Sequence, residues 1–348
     1  MSLPGADAKS TVAGKPAAVV FGCRGLTLSA DEAAFFAETN PFGFIIFARN
    51  VESPNQVRAL VSALRSCVGR SDAPVLIDQE GGRVQRLRPP HWRQAPAASE
   101  IAAIGAKAGE AAHLNARLIG RELADLGISV DCAPVLDVAR GETHSVIGDR
   151  AYSNDPERVA MFGRAICDGL RAEGVHPVIK HIPGHGRARA DSHLELPRVG
   201  ARYEDLKALD FAPFVALNGE DWAMTAHIVY DEIDPEAPAT WSRAMIAGII
   251  RDDIGFSGLL MSDDLAMKAL TGDFDDRARA ALEAGCDMVL HCNGDMDEMK
   301  SVAKGVGALS DSVLERFAAA ESRRKTAQAD AEPIATAELL ARVQALMG

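Results

Sequence analysis

The chain has 348 residues, 47% hydrophobic and 25% charged, an ordinary balance for a globular protein with a large core. A formal net charge of −12 excludes the basic footprint that nucleic acid requires and disfavours anionic lipid surfaces. Six cysteines (Cys23, Cys67, Cys132, Cys167, Cys286, Cys292) lack any C-x-x-C spacing, so they read as free thiols of a reducing compartment.

Residues 1–15 read as a flexible leader without the apolar core of a signal peptide. The run Ala17–Gly22 is too short to span a membrane, and the expected location is cytoplasmic. In chain order the first strand is Ala18–Gly22, followed by a capping box, Ser29 with Glu32, that opens a helix. A second strand, Gly43–Phe47, precedes Ser53-Pro54-Asn55-Gln56, a capping box with proline at the first helical position. Val57, Leu60, Val61 and Leu64 then recur at helical spacing, and Gly69 stops the run.

The third strand is Val75–Asp78; a proline-containing loop (Arg88–Pro96) and a long helix lead to the fourth, Ser129–Ala133. Asp155-Pro156-Glu157 opens a helix with Val159, Phe162, Ile166 and Leu170 on one face and Gly174 as its stop. Pro177–His181, Ala223–His227, Leu259–Ser262 and Met288–His291 complete the set of strands. Beyond Gly305 the chain reads as two terminal helices separated by a polar, alanine-rich stretch around Gln328.

The strands are short, rich in Val, Ile and Leu, and lack polar alternation, as strands covered on both faces do. Eight strand–helix alternations with right-handed crossovers close into a single (β/α)8 TIM-type barrel over residues 16–348. An open doubly wound sheet is the alternative, but no G-x-G-x-x-G follows a strand. Without a heptad seam or a long apolar edge strand, a monomer is the default expectation.

In such a barrel, chemistry sits where strands end. Six of the eight strand ends carry ionisable groups, among them Asp78–Arg86, Asp131–Asp137, Lys180–His185, His227, Asp263-Asp264 and His291. Neighbours on a strand point oppositely, so only one of Asp263 and Asp264 faces the mouth, as a nucleophile held by cations, and the other caps the following helix; that both are caps or loop acids is the plain alternative. Asp191-Ser192-His193 places a carboxylate where it can accept from Nδ1–H and leave Nε2 to a substrate, although a solvated loop pair is the commoner meaning. Gly184, Gly186 and Ala188–Ala190 suggest that this loop moves.

His181 and His185 are four apart, but Pro183, Gly184 and Gly186 exclude the helical two-histidine metal site. No metal or cofactor is expected. Arg83, Arg86, Arg150 and Lys180 are candidate substrate holders, with surface ion pairing as the plain alternative. Lys180 could also form a Schiff base if desolvated. Trp92, Trp222 and Trp241 read as core packing rather than sugar platforms.

Five motifs occur in one order: Asp78-Gln-Glu-Gly-Gly-Arg-Val-Gln-Arg86, Ile147-Gly-Asp-Arg150, Lys180-His-Ile-Pro-Gly-His-Gly186, Asp191-Ser-His193 and Met261-Ser-Asp-Asp-Leu265. Together they resemble the family-3 glycoside hydrolases, specifically the bacterial β-N-acetylhexosaminidases of peptidoglycan recycling, from about Gly22 to Asn293. The resemblance implies a retaining hydrolase that removes terminal β-N-acetylglucosamine from GlcNAc–anhydromuramoyl peptides. It casts Asp263 as nucleophile and His193, held by Asp191, as acid/base. It also casts Asp78, Arg86, Arg150, Lys180 and His181 as the residues that bind the sugar.

A histidine acid/base departs from the usual two carboxylates of retaining enzymes. The imidazolium becomes neutral when it gives up its proton, so no second anion appears beside Asp263. Arg187 and Arg189, inside the loop, are candidates for an anionic part of the muropeptide. Phosphorolysis, a Schiff-base lyase using Lys180 and a non-catalytic sugar-binding barrel remain as alternatives.

Overall fold

The computed structural model describes residues 14–140, 147–188 and 195–348. Leader residues 1–13 and the loop residues Arg189, Asp191 and His193 lie outside them. Lys15 pairs with Asp311 at 2.8 Å, beside the point where the first strand begins.

Eight parallel strands form the barrel: β1 (Ala17–Gly22), β2 (Pro41–Ile46), β3 (Val75–Ile77), β4 (Val130–Asp131), β5 (His176–Pro177, resuming at Ile179–Ile182), β6 (Trp222–Thr225), β7 (Leu259–Asp264) and β8 (Met288–His291). Hydrogen-bonded neighbours run β5-β4-β3-β2-β1-β8-β7-β6 and return to β5. The interruption in β5 lets it serve both neighbours. Val130 and Asp131 pair with His176 and Pro177, whereas Ile179 and Lys180 pair with Ala223 and Met224 of β6. The barrel closes as the sequence pattern requires.

Two strands carry a bulge, and each falls at a candidate site residue. On β5, Lys180 and Ile182 oppose consecutive residues Met224 and Thr225, so His181 is the extra residue. On β7, Met261 and Asp264 oppose Met288 and Leu290, which inserts one residue across Ser262-Asp263. A bulge re-aims side chains that strict alternation would send elsewhere.

The barrel interior is filled by alternate strand residues, including Val20, Leu76, Val130, Val178, Met224, Met261 and Leu290, all buried. Its amino-terminal end is plugged by aromatics. Trp222 stacks on Phe42 at 5.9 Å, and Phe317 meets Phe42 edge-on at 4.9 Å. Phe317 belongs to the helix Asp311–Asp330, which covers this end and pairs Arg316 with Asp287. Trp92 and Trp241 pack partly buried against neighbouring clusters.

The outer helices follow their sequence signals. Helix Pro54–Cys67 buries Val57, Leu60, Val61 and Leu64, each contributing about 2 kcal/mol of apolar burial. Ser29 and Glu32 form the expected reciprocal cap. The second box is only half made, since Gln56 reaches back to the Glu52 amide (2.8 Å) rather than to Ser53. The terminal helices are Asp311–Asp330 and Thr336–Met347, so their break falls after Gln328, around Pro333. Proline, which cannot continue a helix, marks it better than the polar composition did. A two-residue ladder, Arg198–Val199 with Val229–Tyr230, is too short to leave a pattern in the sequence.

Candidate active site

The carboxyl ends of β3 and β5 bring Asp78, Glu80 and Lys180 together. Lys180 Nζ lies 2.8 Å from Asp78 Oδ1 and 2.7 Å from Glu80 Oε1. Arg86 pairs with the other Asp78 oxygen at 3.0 Å. Arg150, from the turn Gly148–Arg150, grips both Glu80 oxygens at 2.8 Å. The result is one chain of alternating charge, Arg86–Asp78–Lys180–Glu80–Arg150, held by the loop after β3, the turn Gly148–Arg150 and strand β5.

Burial alone would neutralise these groups. For Asp78 it is outweighed by Lys180 and then Arg86, which hold the carboxyl well below the usual carboxylate range. For Glu80 burial is outweighed by Arg150 and Lys180, which bring it down to about 2. Lys180 resists burial in turn because Asp78 and Glu80 push it above the ordinary lysine value. Asp78, Glu80 and Lys180 therefore stay charged. A lysine fixed as an ammonium is no nucleophile, so the geometry opposes the Schiff-base reading.

The loop between Asp78 and Arg86 is preorganised by Gln79, whose Oε1 accepts from the Arg86 and Leu87 amides at 2.8 and 3.0 Å. Among the described residues, two of the three Lys180 N–H donors are taken, and buried Arg86 Nε has no partner. Arg86 also lies 5.0 Å over the Phe47 ring. Rigid donors and carboxylates of this kind suit a ligand dense in hydroxyl and amide groups. Arg83, by contrast, pairs with Asp149 (2.6 Å) on the half-exposed rim, as its surface reading has it.

A second cluster stands on the β5 bulge. Asp137 Oδ2 accepts from His181 Nδ1 at 2.8 Å, while Oδ1 accepts from the His185 amide at 2.6 Å and the His181 amide at 3.3 Å. Burial raises the Asp137 carboxyl, but His181 and these donors overcome it and bring it to about 2. An ionised Asp137 fixes the proton on His181 Nδ1 and leaves Nε2 for a ligand. The Lys180–His181 peptide is cis. His181 and His185 serve this carboxylate, with ring centroids 5.7 Å apart.

Asp263 is half-buried at the end of β7, with its Oδ1 accepting from the Asp264 amide at 2.8 Å. Asp264 does not cap a helix. Its Oδ1 accepts from the amides of Ala266 and Cys292, both 3.0 Å, so it ties the end of β7 to the end of β8. Helix Phe274–Ala284 starts ten residues later, too far for an Asp264 cap. Asp264 therefore joins two strands where a helix cap was expected.

The stretch leading toward residue 189 is tied down where the structure describes it. Gly184 N–H donates to His181 O (2.7 Å), Tyr230 OH donates to Gly184 O (2.6 Å), and Ala188 is buried. A Cβ on Gly186 would stand 1.9 Å from Val138 O, so only glycine fits there. Residues 184–188 are thus tied to the barrel by hydrogen bonds and close packing. Arg187 is also spoken for: its Nε pairs with buried Asp210 at 2.7 Å, which leaves little reason to assign it to substrate. Asp191, His193 and Arg189 lie outside the described residues.

Glu80 and Asp137 were missed as site residues. Both stood inside runs already marked by ionisable strand ends, which was the only available signal. Their pairing predicts acid sensitivity. Glu80 and Asp137 fall to about 2 from ordinary values of 4.5 and 3.8, so the stability they supply is complete above those values and is lost as pH falls toward 2. His185, lowered by burial from 6.5 to about 4, adds to the loss, because below 6.5 only the unfolded chain takes its proton. The urea midpoint should fall steadily between about pH 6.5 and about pH 3; a constant midpoint would contradict this pairing.

All six cysteines are free, and all but Cys67 are buried. Burial pushes the Cys132 and Cys292 thiols well above their usual value, which makes them inert. No helix among the described residues is long and apolar enough to cross a membrane.

A closed parallel barrel with paired acids and bases converging at its strand ends is an enzyme's architecture. Residues 19–323 match the glycosyl hydrolase family 3 N terminal domain. A beta-hexosaminidase of Methylococcus capsulatus is 43% identical over 278 residues, covering 79% of this chain and 82% of its own. A beta-hexosaminidase of Pseudomonas aeruginosa is 41% identical over 272 residues, covering 77% and 80%. Among solved structures, NagZ of Neisseria gonorrhoeae in complex with N-trifluoroacetyl-D-glucosamine superposes with a TM-score of 0.84 at 32% identity, covering 96% of this chain and 99% of its own. The chain belongs to glycosyl hydrolase family 3. It is a glycoside hydrolase.

Proposed function

We propose that this chain is a retaining exo-β-N-acetylglucosaminidase that removes terminal, non-reducing GlcNAc from GlcNAc–anhydromuramoyl peptides during cell-wall recycling. The observation that carries this reading is the charged cradle Arg86–Asp78–Lys180–Glu80–Arg150 at one end of a barrel whose β7 carries Asp263 as its penultimate residue. The hexosaminidase names of the relatives and the N-acyl glucosamine bound to the Neisseria protein support an acetamido sugar. Free, buried thiols agree with a cytoplasmic site of action.

In this reading Asp78, Arg86, Arg150, Lys180 and His181 hold the sugar's hydroxyls and N-acetyl group. Asp263 attacks the anomeric carbon as the glycosidic C–O bond breaks, and the His193 imidazolium, oriented by Asp191, protonates the leaving oxygen. A glycosyl ester on Asp263 results, with His193 neutral. His193 then takes a proton from water as that water attacks the same carbon, which restores the Asp263 carboxylate and releases GlcNAc with its β configuration. Asp137 keeps His181 in one tautomer throughout.

The test compares aryl β-N-acetylglucosaminide, aryl β-glucoside and a GlcNAc–anhydromuramoyl peptide as substrates in phosphate and in non-phosphate buffer. Hydrolysis confined to the two acetamido substrates is expected, with free GlcNAc in both buffers. GlcNAc-1-phosphate as the main product in phosphate would favour phosphorolysis. Equal turnover of the glucoside would remove the proposed sugar preference.

A further inference from the structure

The end of β6 carries a buried polar network that this mechanism does not use. His227 Nε2 lies 3.1 Å from the Asp264 carbonyl oxygen, and Nδ1 lies 2.8 Å from Thr240 Oγ1. Thr225 Oγ1 is 2.7 Å from the same Thr240 oxygen, which also lies 3.1 Å from Ala226 O. His227, Thr225 and Thr240 are all fully buried.

Counting protons settles the tautomer. A carbonyl only accepts, so Nε2 must carry a hydrogen to bond Asp264 O. In a neutral ring Nδ1 is then an acceptor that shares the single Thr240 hydroxyl proton with the Ala226 carbonyl, while Thr225 donates to the Thr240 oxygen. The titratable groups facing the ring are Asp263 and Asp264 from β7 and His181 from β5. Burial is the largest influence and lowers His227 below the ordinary histidine value despite Asp263. The neutral form, protonated on Nε2, satisfies the pair of ring nitrogens.

The Asp264 carbonyl that His227 grips follows directly on the β7 bulge. The same residue's carboxylate is fixed on its other side by the Ala266 and Cys292 amides. With both its carbonyl and its side chain held, Asp264 leaves the preceding residue little rotational freedom.

We propose that His227 is a positioning residue for Asp263, its Nε2–H holding the Asp264 carbonyl so that the bulge aims the Asp263 carboxylate at the sugar. This rests on Asp263 being the nucleophile. Thr240 is part of the device, since its hydroxyl holds the opposite ring nitrogen at 2.8 Å.

The experiment measures kcat and KM per folded active site for His227→Leu, His227→Gln, Thr240→Val and Asp263→Ala, with melting temperatures alongside. His227→Leu should lower kcat about 100-fold with KM within about threefold, the scale of loss for a displaced reacting group. His227→Gln, which returns an N–H donor at similar reach, should recover at least about tenfold of that loss. Thr240→Val should fall between them. A purely structural histidine would lower the melting temperature and leave kcat unchanged, and that result overturns the proposal.

If His227→Leu does not fold, ¹⁵N chemical shifts of the imidazole in the wild-type protein decide the matter. An Nε2–H tautomer at neutral pH is expected, and an Nδ1–H tautomer overturns the proposal. An inactive Asp263→Ala beside a fully active His227→Leu rejects the positioning role alone. An active Asp263→Ala rejects the nucleophile and the positioning role with it.

Discussion

Replacing Asp263 with alanine is expected to lower kcat on an aryl β-N-acetylglucosaminide by about 10⁴-fold or more, with the fold intact. The size of the effect follows from the proposed division of the reaction into two displacements, both of which run through this carboxylate. Without it no glycosyl ester forms, and the ring cation that develops at the transition state loses its nearest stabilising charge. The side chain is half-buried at the end of β7, and its Oδ1 accepts from the neighbouring Asp264 amide at 2.8 Å. Asp264→Ala is the informative contrast. It would free the amides of Ala266 and Cys292 and loosen the join between β7 and β8, so it should cost stability as well as activity.

The second large effect is expected at Asp78. Its carboxylate accepts from both Lys180 and Arg86, and Lys180 is buried. Asp78→Ala would leave one buried ammonium short of a partner and remove a proposed sugar contact in the same step. Breaking a buried pair from one side costs about 3 kcal/mol, which in a chain of this size lowers the melting temperature by roughly 4 °C. On catalysis, kcat/KM should fall about 100-fold or more, because the positions of Lys180 and Arg86 go with it. Asp78→Asn keeps the shape and loses the charge, so it should fall between the two. Thermal melts and steady-state kinetics on the same preparations check both parts. An Asp78→Ala protein as stable and active as wild type would show that the cradle is not what holds the sugar.

The barrel was legible because strand burial and helix capping are local. Eight apolar runs matched the strands within a few residues, and Ser29, Asp155 and Gly174 punctuated the helices as their chemistry requires. What acts across the barrel left no such trace. Asp137 meets residues 44 and 48 positions further along the chain, and Arg187 meets Asp210 from another element. No periodicity encodes either pairing. The bulges at His181 and across Ser262-Asp263 are likewise tertiary features, since they arise from register against a neighbouring strand. Asp263 and Asp264 illustrate the limit. Alternation indicated that the two would take separate roles, but only the structure shows Asp264 joining two strands instead of capping a helix. Cradle residues were readable as ionisable strand ends; their order, with Glu80 between Lys180 and Arg150, was not.

The most direct test of the account is intact-protein and peptide mass analysis of enzyme quenched by acid during turnover of an activated aryl β-N-acetylglucosaminide. The account predicts one N-acetylhexosaminyl group per chain on the peptide containing Asp263, absent from Asp263→Ala. A label on another residue, or no label together with an inverted first-formed sugar, would contradict it.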